Sequence, residues 1–532
     1  MSSPAVCDWV VAHARRSPDA PAIDSPQHRL SYAALAERIG ALAHELGAMG
    51  IGPGDRVLVL LPNLPATVVV SLAIQYVGAT SVEVSRDLAF DMLAFVVRQS
   101  GPRAVAFAAR DARKLAALLR EASVAHALVV HDGDLPEALR PCLTGLEVTQ
   151  MMEDGALTRA AGSEREARVA PVRDRSTVTQ ILYTSGSTGQ PRGVMQTIGN
   201  IEANTRSIVE YLGLTADDRA MLILPLSYCY GRSVVQTHLF AGGSVFLDGR
   251  FMYPQVVLDA MGSERCTGFA GVPLTFELLQ RQAKPDMHAL AALRYITHAG
   301  GPLDKRTADW VRTAFRPAQL FTMYGQTEAT ARLSYVPPDR SDKRDSIGIP
   351  IPGVELRIVD EDGSELPVGV QGELVARGAN ITPGYYKMPD ESARILASGW
   401  LRTGDLGHRD QDGYFYLVGR AKEILKIGGH RVSPAQIEAT LAGCEGVSEV
   451  AVAGTADRLM GEVPVALVVV EAGSVLSELD LRKFCAARLP AYMVPRVVGF
   501  ASALPRGPSG KLLRAEVSRL LTHVQQQQRS TT

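Results

Sequence analysis

The sequence predicts an α/β protein. It has a large N-terminal domain of layered α/β subdomains with a β-rich subdomain, followed by a small α+β C-terminal domain. Three observations carry this. Apolar strand-like runs alternate with helical-period segments over the first half of the chain, the pattern of layered α/β architecture. Residues 345–419 change to short strands divided by glycine turns, such as VELRIVDEDG and GYFYLVGR. After Gly419 the order becomes strand, strand, helix, strand.

The elements follow in chain order. LSYAALAERIGALAHELGAMG, from Leu30, has apolar residues at helical spacing and closes on glycine. GIGPGD reads as a turn into RVLVLL, a buried strand. Asn63 to Val82 has no charge, but Pro65, Gln75 and Gly78 favour a core helix followed by a strand over a membrane span. PRAVAFAA, RDARKLAALLREA and HALVV repeat strand, helix, strand. Pro136 to Ser176 is poor in periodicity and rich in charge, and reads as a surface connection. TVTQILY is a strand, the run from Met221 to Leu247 is apolar and aromatic, and CTGFAGVPLTFELLQRQ is strand, turn, helix. SEVAVAG, EVPVALVVVE, LSELDLRKFCAARL and RVVGFAS form the small domain, and QQQQRSTT reads as a frayed tail. The expected boundaries are 1–419, 420–524 and a disordered 525–532.

A chain of 532 residues exceeds one ordinary core and suits roughly two to four domains or subdomains. Its net charge of -1, with 21% charged residues, gives no basic footprint for nucleic acid. Six cysteines lie at 7, 142, 229, 266, 444 and 485 with no CxxC pair, so neither a zinc site nor a disulfide framework is expected. MSSPAVCDWVVAHARRSPD lacks a basic start followed by an apolar run. The expectation is a cytoplasmic protein without membrane partners.

YTSGSTGQPRGV, Tyr183 to Val194, interleaves the hydroxyls of Thr184, Ser185, Ser187 and Thr188 with Gly186, Gly189 and Gly193, and includes Arg192. Glycine lets several backbone N–H groups point at one anion, and hydroxyls and a cation add to the grip. On these residues alone a phosphate loop and a Ser/Gly surface turn stand level; the preceding strand favours the phosphate loop. It is not GxxxxGK[ST], since no Gly-Lys-Ser/Thr follows. The pair Gly510-Lys511 has Pro505 and Leu512 where that motif needs glycine and Ser/Thr. GxGxxG fails at Asp55, and GxSxG fails at Tyr183.

Five more stretches matter together: HAGGPL from His298, MYGQTEAT from Met323, GWLRTGDLG from Gly399, GRAKEILKIGGHRVSP from Gly419 and PRGPSGKLLRAE from Pro505. Each alone fits an ordinary turn or a solvated helix start. As an ordered set with the Ser/Gly loop, they resemble the adenylate-forming superfamily. That superfamily contains acyl- and aryl-CoA synthetases, luciferases and the adenylation domains of nonribosomal peptide synthetases. The resemblance runs from LSYAALAERIGALAHEL through LPNLPATVVVSLA to GKLLRAE.

The resemblance implies a reaction: ATP and a carboxylic acid give an acyl-adenylate and pyrophosphate, and a thiol then takes the acyl group. The thiol belongs to coenzyme A or to carrier-protein phosphopantetheine. It further implies that Thr184, Ser185, Gly186, Ser187, Thr188, Gly189 and Arg192 grip the β/γ-phosphates; Arg192 replaces the lysine common there, keeping charge but not shape. Thr327 would bond the α-phosphate and Glu328 would hold Mg²⁺. Tyr324 and Gly325 would lie along the adenine, with Gly300 and Gly301 on its other side. Asp405 and Arg420 would reach the ribose. Lys511 would bridge carboxylate and α-phosphate in the transition state. Two-step members turn the small domain between half-reactions, so it is expected to be mobile. The hinge falls on Lys422, and Gly428 and Gly429 would face the thiol channel.

For the acid, the implied pocket residues are Tyr228, Tyr230, Val272, His298, Met323 and Gly325. Many acyl-CoA synthetases carry histidine where Tyr228 stands. His298 reads equally as a hydrogen-bonded core residue. Neither Met221–Leu247 nor Thr267–Leu274 contains Asp or Glu, so no counter-charge for an α-ammonium is expected. The expected substrate is an aryl or short-to-medium acyl acid and not an α-amino acid. A CoA ligase and a stand-alone carrier-loading enzyme both remain open, as does a monomer or a homodimer. Lys511, Glu328, Thr327 and Asp405 together argue against a non-catalytic nucleotide-binding homologue.

Overall fold

The structure, a computed structural model, describes residues 5–133, 135–158, 174–184, 190–420, 423–428, 430–471, 473–506, 512–514 and 516–521. The chain divides into two compact units. One comprises Met1–Arg344, Gly348–Glu355 and Ala376–Leu401; the other comprises Asp345–Ile347, Leu356–Val375 and Arg402–Thr532.

The first unit is built on two large sheets. A seven-stranded sheet has the order Glu147–Met152, His126–His131, Ala104–Ala108, Arg56–Leu60, Thr80–Glu83, Val178–Thr184, Arg192–Thr197. Its first six strands are parallel, and the last two, Val178–Thr184 and Arg192–Thr197, pair antiparallel. The uncharged stretch folds as a helix, Pro65–Tyr76, and then the strand Thr80–Glu83. Eleven of the twelve helix residues, Pro65 to Gln75, are buried, which is why no polar face was visible. Among the described residues no helix is long and apolar enough to cross a membrane. Glu147–Met152 corrects the reading of Pro136–Ser176 as mere connection. It pairs in parallel along all of His126–His131, and its half-exposed edge position explains the polar sequence EVTQMM.

A nine-stranded sheet positions the site. Its parallel heart contains Gln319–Tyr324, Tyr295–His298, Gly268–Gly271 and Arg219–Leu222 as neighbours. Each of these strands runs at its carboxyl end into a segment named above. These are Leu224–Tyr228, Val272, Ala299–Gly301 and Gly325–Glu328. In open parallel sheets ligands bind outside those carboxyl ends, so four motifs scattered over more than a hundred residues arrive at one edge.

In the second unit, Gly461–Val470 lies between Val447–Asp457 and Leu425–Ile427, with Val497–Phe500 pairing it in parallel. The helices Pro434–Ala442 and Glu478–Ala486 cover one face through Ile437, Leu441, Leu481 and Cys485. Val517 and Leu521 cover the other. The α+β reading of this part holds, with one helix, Pro434–Ala442, that it did not include.

Candidate active site

The segment after Gln319–Tyr324 is held by its carbonyls. Gln196 Nε2 donates to the carbonyls of Thr327 and Thr330, each at 3.1 Å. Asn380 Nδ2 donates to Ala329 and Arg332, and Asn204 Nδ2 donates to Arg332 as well. Asn200, capping the helix Ile198–Leu212, ties down Ala379 and Ile381 in turn. Buried carbonyls need such partners, and here side-chain amides supply what no sheet can. Thr330 takes φ +65°, unusual for a β-branched residue. Its hydroxyl donates to Asn380 O at 2.7 Å. At Gly325 any Cβ would lie 2.1 Å from the Ala331 carbonyl, so only glycine fits.

This frame presents Thr327 and Glu328. Thr327 Oγ1 donates to the buried Cys229 sulfur at 3.4 Å. Glu328 is half-buried, and its Oε1 accepts from Tyr385 Oη at 2.7 Å. Burial first, and then the Glu328 charge, push the Tyr385 phenol well up, so it stays a donor. The Arg192 guanidinium lies 5.4 Å from the Tyr385 ring centre. Among the described residues no three His, Cys, Asp or Glu side chains form a protein cage for a metal. A single carboxylate such as Glu328 suits Mg²⁺, which takes few protein ligands and shares the phosphate oxygens of a bound nucleotide.

The residues expected to line the acid pocket are largely aromatic. Tyr228 and Tyr230 meet edge to face at 6.2 Å, and Tyr230 Oη donates to Thr297 Oγ1 at 2.7 Å. Gly300, at φ +91°, brings the backbone so close that a Cβ would lie 3.0 Å from Tyr228 Oη and 3.2 Å from Val272 Cγ1. Tyr228, Val272 and Gly300 therefore form one wall. Tyr230, Thr297 and Met323 line a narrow cavity together with Arg332.

His298 is elsewhere. Strand alternation sends Thr297 to the Tyr230 side and His298 to the opposite face, where its ring sits 5.8 Å from Phe276. It is 1% exposed, and neither ring nitrogen has a partner among the described residues. Burial pushes its pKa down to about 3. The hydrogen-bonded core histidine of the alternative reading is thus a core histidine with no hydrogen-bond partner among the described residues.

In the second unit Asp405 and Arg420 face each other across paired strands, with Arg420 Nε 3.0 Å from Asp405 Oδ1. Asp405 is 3% exposed. Gly428 takes φ +54°, and its N–H donates to Met460 O at 2.8 Å. Ser185, Gly186, Ser187, Thr188, Gly189, Lys422, Gly429, Lys511 and the tail lie outside the described residues. Sequence reasoning missed Gln196, Asn204, Asn380, Tyr385 and Arg332. Only Tyr385, in the run PGYYKMP, stood beside a visible turn signal.

The profile of the AMP-binding enzymes matches residues 10–386, and that of the AMP-binding enzyme C-terminal domain matches residues 436–511. The chain belongs to the AMP-binding enzyme family. A feruloyl-CoA synthase of Amycolatopsis sp is 33% identical over 515 residues, spanning 96% of this chain and 98% of that protein. ATP-bound MatB from Rhodopseudomonas palustris superposes with a TM-score of 0.86 at 27% identity, covering 98% of this chain and 99% of the other. The o-succinylbenzoate coenzyme A synthetase of Bacillus subtilis, solved with ATP and magnesium ion, gives 0.80 at 26% identity, with 96% and 98% covered. This AMP-binding enzyme thus has the mixed α/β fold that its sequence predicts.

Proposed function

We propose that this AMP-binding enzyme activates a small carboxylic acid with ATP and passes the acyl group to the thiol of coenzyme A, releasing AMP. The observation that carries the reading is the Thr327–Glu328 pair on a carbonyl-locked loop, next to an aromatic pocket and at the carboxyl edge of the parallel sheet. Mg²⁺, when bound, would offset phosphate charge that repels the attacking carboxylate. Glu328 would hold it, Tyr385 would orient Glu328, and Thr327 would donate to the α-phosphate. The Ser/Gly loop and Arg192 would take the pyrophosphate end. Asp405 and Arg420 would bind the ribose, and Lys511 would stabilise the charge that develops on adenylation.

The acid is an aryl or short-to-medium acyl acid. Tyr228, Tyr230, Val272 and Met323 offer apolar area, worth about 25 cal/mol per Å² buried. No carboxylate stands among them to receive an α-ammonium. The CoA reading is supported over carrier loading by relatives such as the feruloyl-CoA synthase. Pyrophosphate release over a panel of benzoates, fatty acids and the proteinogenic amino acids, with and without CoA, tests the reading. Release with aryl or acyl acids, and AMP formation completed only with CoA, is expected. An α-amino acid with the highest kcat/KM would overturn the substrate class.

A further inference from the structure

Two arginines are buried among the described residues, and their surroundings differ. Arg232 is ion-paired with Glu83 at 2.6 Å. Arg332, 3% exposed, has no carboxylate partner among the described residues. Its Nε donates to the Met323 sulfur at 3.2 Å, a weak acceptor, and its Nη1 donates to the Ala331 carbonyl at 3.1 Å. Its guanidinium carbon lies 4.1 Å from the Tyr230 ring centre. A guanidinium cannot shed its proton to relieve burial, and a buried charge calls for a counter-ion. The tyrosine face and the Tyr211 side chain, which hydrogen-bonds the guanidinium, supply part of that need and leave the remaining N–H donors for something else.

The surroundings say where that something would sit. Arg332 lines the same narrow cavity as Tyr230, Thr297 and Met323. Two of these are the residues to which the acid pocket was assigned. The arginine is also fixed in place: its own carbonyl accepts from Asn204 and Asn380. A preorganised guanidinium with no carboxylate partner among the described residues, at the wall of the proposed acid pocket, is a site for a planar or tetrahedral oxyanion.

Resting on the proposed acid-activating function, we infer that the substrate carries a second anionic group, a carboxylate or a sulfonate, and that Arg332 receives it. One carboxyl is activated while the other is held, so Arg332 sets specificity and orientation without entering the chemistry.

The test uses matched acids in the pyrophosphate-release assay. One set is butanoate, succinate and sulfopropanoate. The other is phenylpropanoate with its ring-carboxylated and ring-sulfonated counterparts. The wild-type enzyme is expected to favour a dianionic member by about tenfold or more in kcat/KM in at least one set, given the strength of charge-assisted forks. The sulfonate arms separate a general oxyanion site from a carboxylate-specific one. Arg332→Met should abolish or invert that preference while leaving ATP binding unchanged, and Arg332→Lys should retain part of it. A wild-type preference for the monoanion in both sets, or an unchanged ratio in Arg332→Met, overturns the inference. If Arg332→Met does not fold, as judged by its melting curve, the wild-type ratio and Arg332→Lys decide. If no acid releases pyrophosphate, the acid-activating reading fails separately. Calorimetric titration of the same acids then decides for Arg332: heat from dianions alone supports it, and none from any of them overturns it.

Discussion

Tyr385 is a residue whose value lies in its hydroxyl. Its hydroxyl donates to Glu328 Oε1 at 2.7 Å from a position 57 residues downstream. Tyr385→Phe keeps the ring beside Arg192 and removes the donor to Glu328 together with the hydroxyl's hydrogen bond to Arg192. Leaving a half-buried carboxylate short of a partner costs about 1–3 kcal/mol. The half-saturating Mg²⁺ concentration for adenylation should rise about tenfold, while thioester formation from supplied acyl-adenylate stays unchanged. Titrating Mg²⁺ in both assays checks this. His298 gives a second prediction, in stability. Its folded pKa of about 3 lies below the ordinary 6.5. Between those values the unfolded chain binds a proton that the folded chain refuses. Stability is therefore full above pH 6.5 and falls as pH drops toward 3, by up to about 1.4 kcal/mol per pH unit. His298→Leu should flatten the melting temperature across that window, read by thermal melts from pH 4 to 7. Neither residue's role was legible in the sequence. HAGGPL shows a histidine beside glycines but not which face of a strand it takes, and Tyr385 shows nothing of a partner so far away.

Among elements, the loop Gly325–Arg332 shows what a motif can and cannot tell. YGQTEAT was recognisable because its side chains carry the chemistry. Its support was not, because Gln196, Asn204 and Asn380 act on carbonyls, which have no sequence signature. Arg332, in TEATAR, resembles any solvated charge until the fold buries it. The elements that sequence did specify are those whose period is local: the helix Tyr32–Ala48, the strand Arg56–Leu60 and the buried helix Pro65–Tyr76. Glu147–Met152 escaped because an edge strand needs no apolar alternation. The loop also yields a stability test. In Gly325→Ala the new methyl would press on the Ala331 carbonyl and on Arg332 Cα, both backbone atoms that cannot swing away. A loss of about 3 kcal/mol is expected from such overpacking. Gly301→Ala, whose methyl would meet only the Pro273 ring at 3.4 Å, should melt within a degree or two of the wild type. Differential scanning of the two variants separates a packing constraint from a general intolerance of alanine.

For the whole molecule, two compact units and two half-reactions invite a division of labour that single substitutions can expose. The first half-reaction brings an anionic carboxylate against an anionic phosphate and needs a cation where charge builds. Lys511, in PSGK, is the lysine to which that role is assigned. The second half-reaction needs no such cation, because the adenylate carbonyl is already activated and the nucleophile is a thiol. Lys511→Ala should therefore lower acyl-adenylate formation by ~10²–10³, the effect of losing an oxyanion-type contact worth about 3–4 kcal/mol. Thioester formation from supplied acyl-adenylate and CoA should persist. Lys422→Pro should do the reverse. Proline fixes φ and removes an N–H, so it would arrest the change of backbone angles proposed for this position between half-reactions. Adenylation, read as pyrophosphate release in a single turnover, should survive while thioester formation falls. Each variant thus serves as the other's control for folding. Equal loss of both half-reactions in Lys511→Ala would assign that lysine to structure. An unchanged overall rate in Lys422→Pro would show that no backbone change at that residue limits turnover.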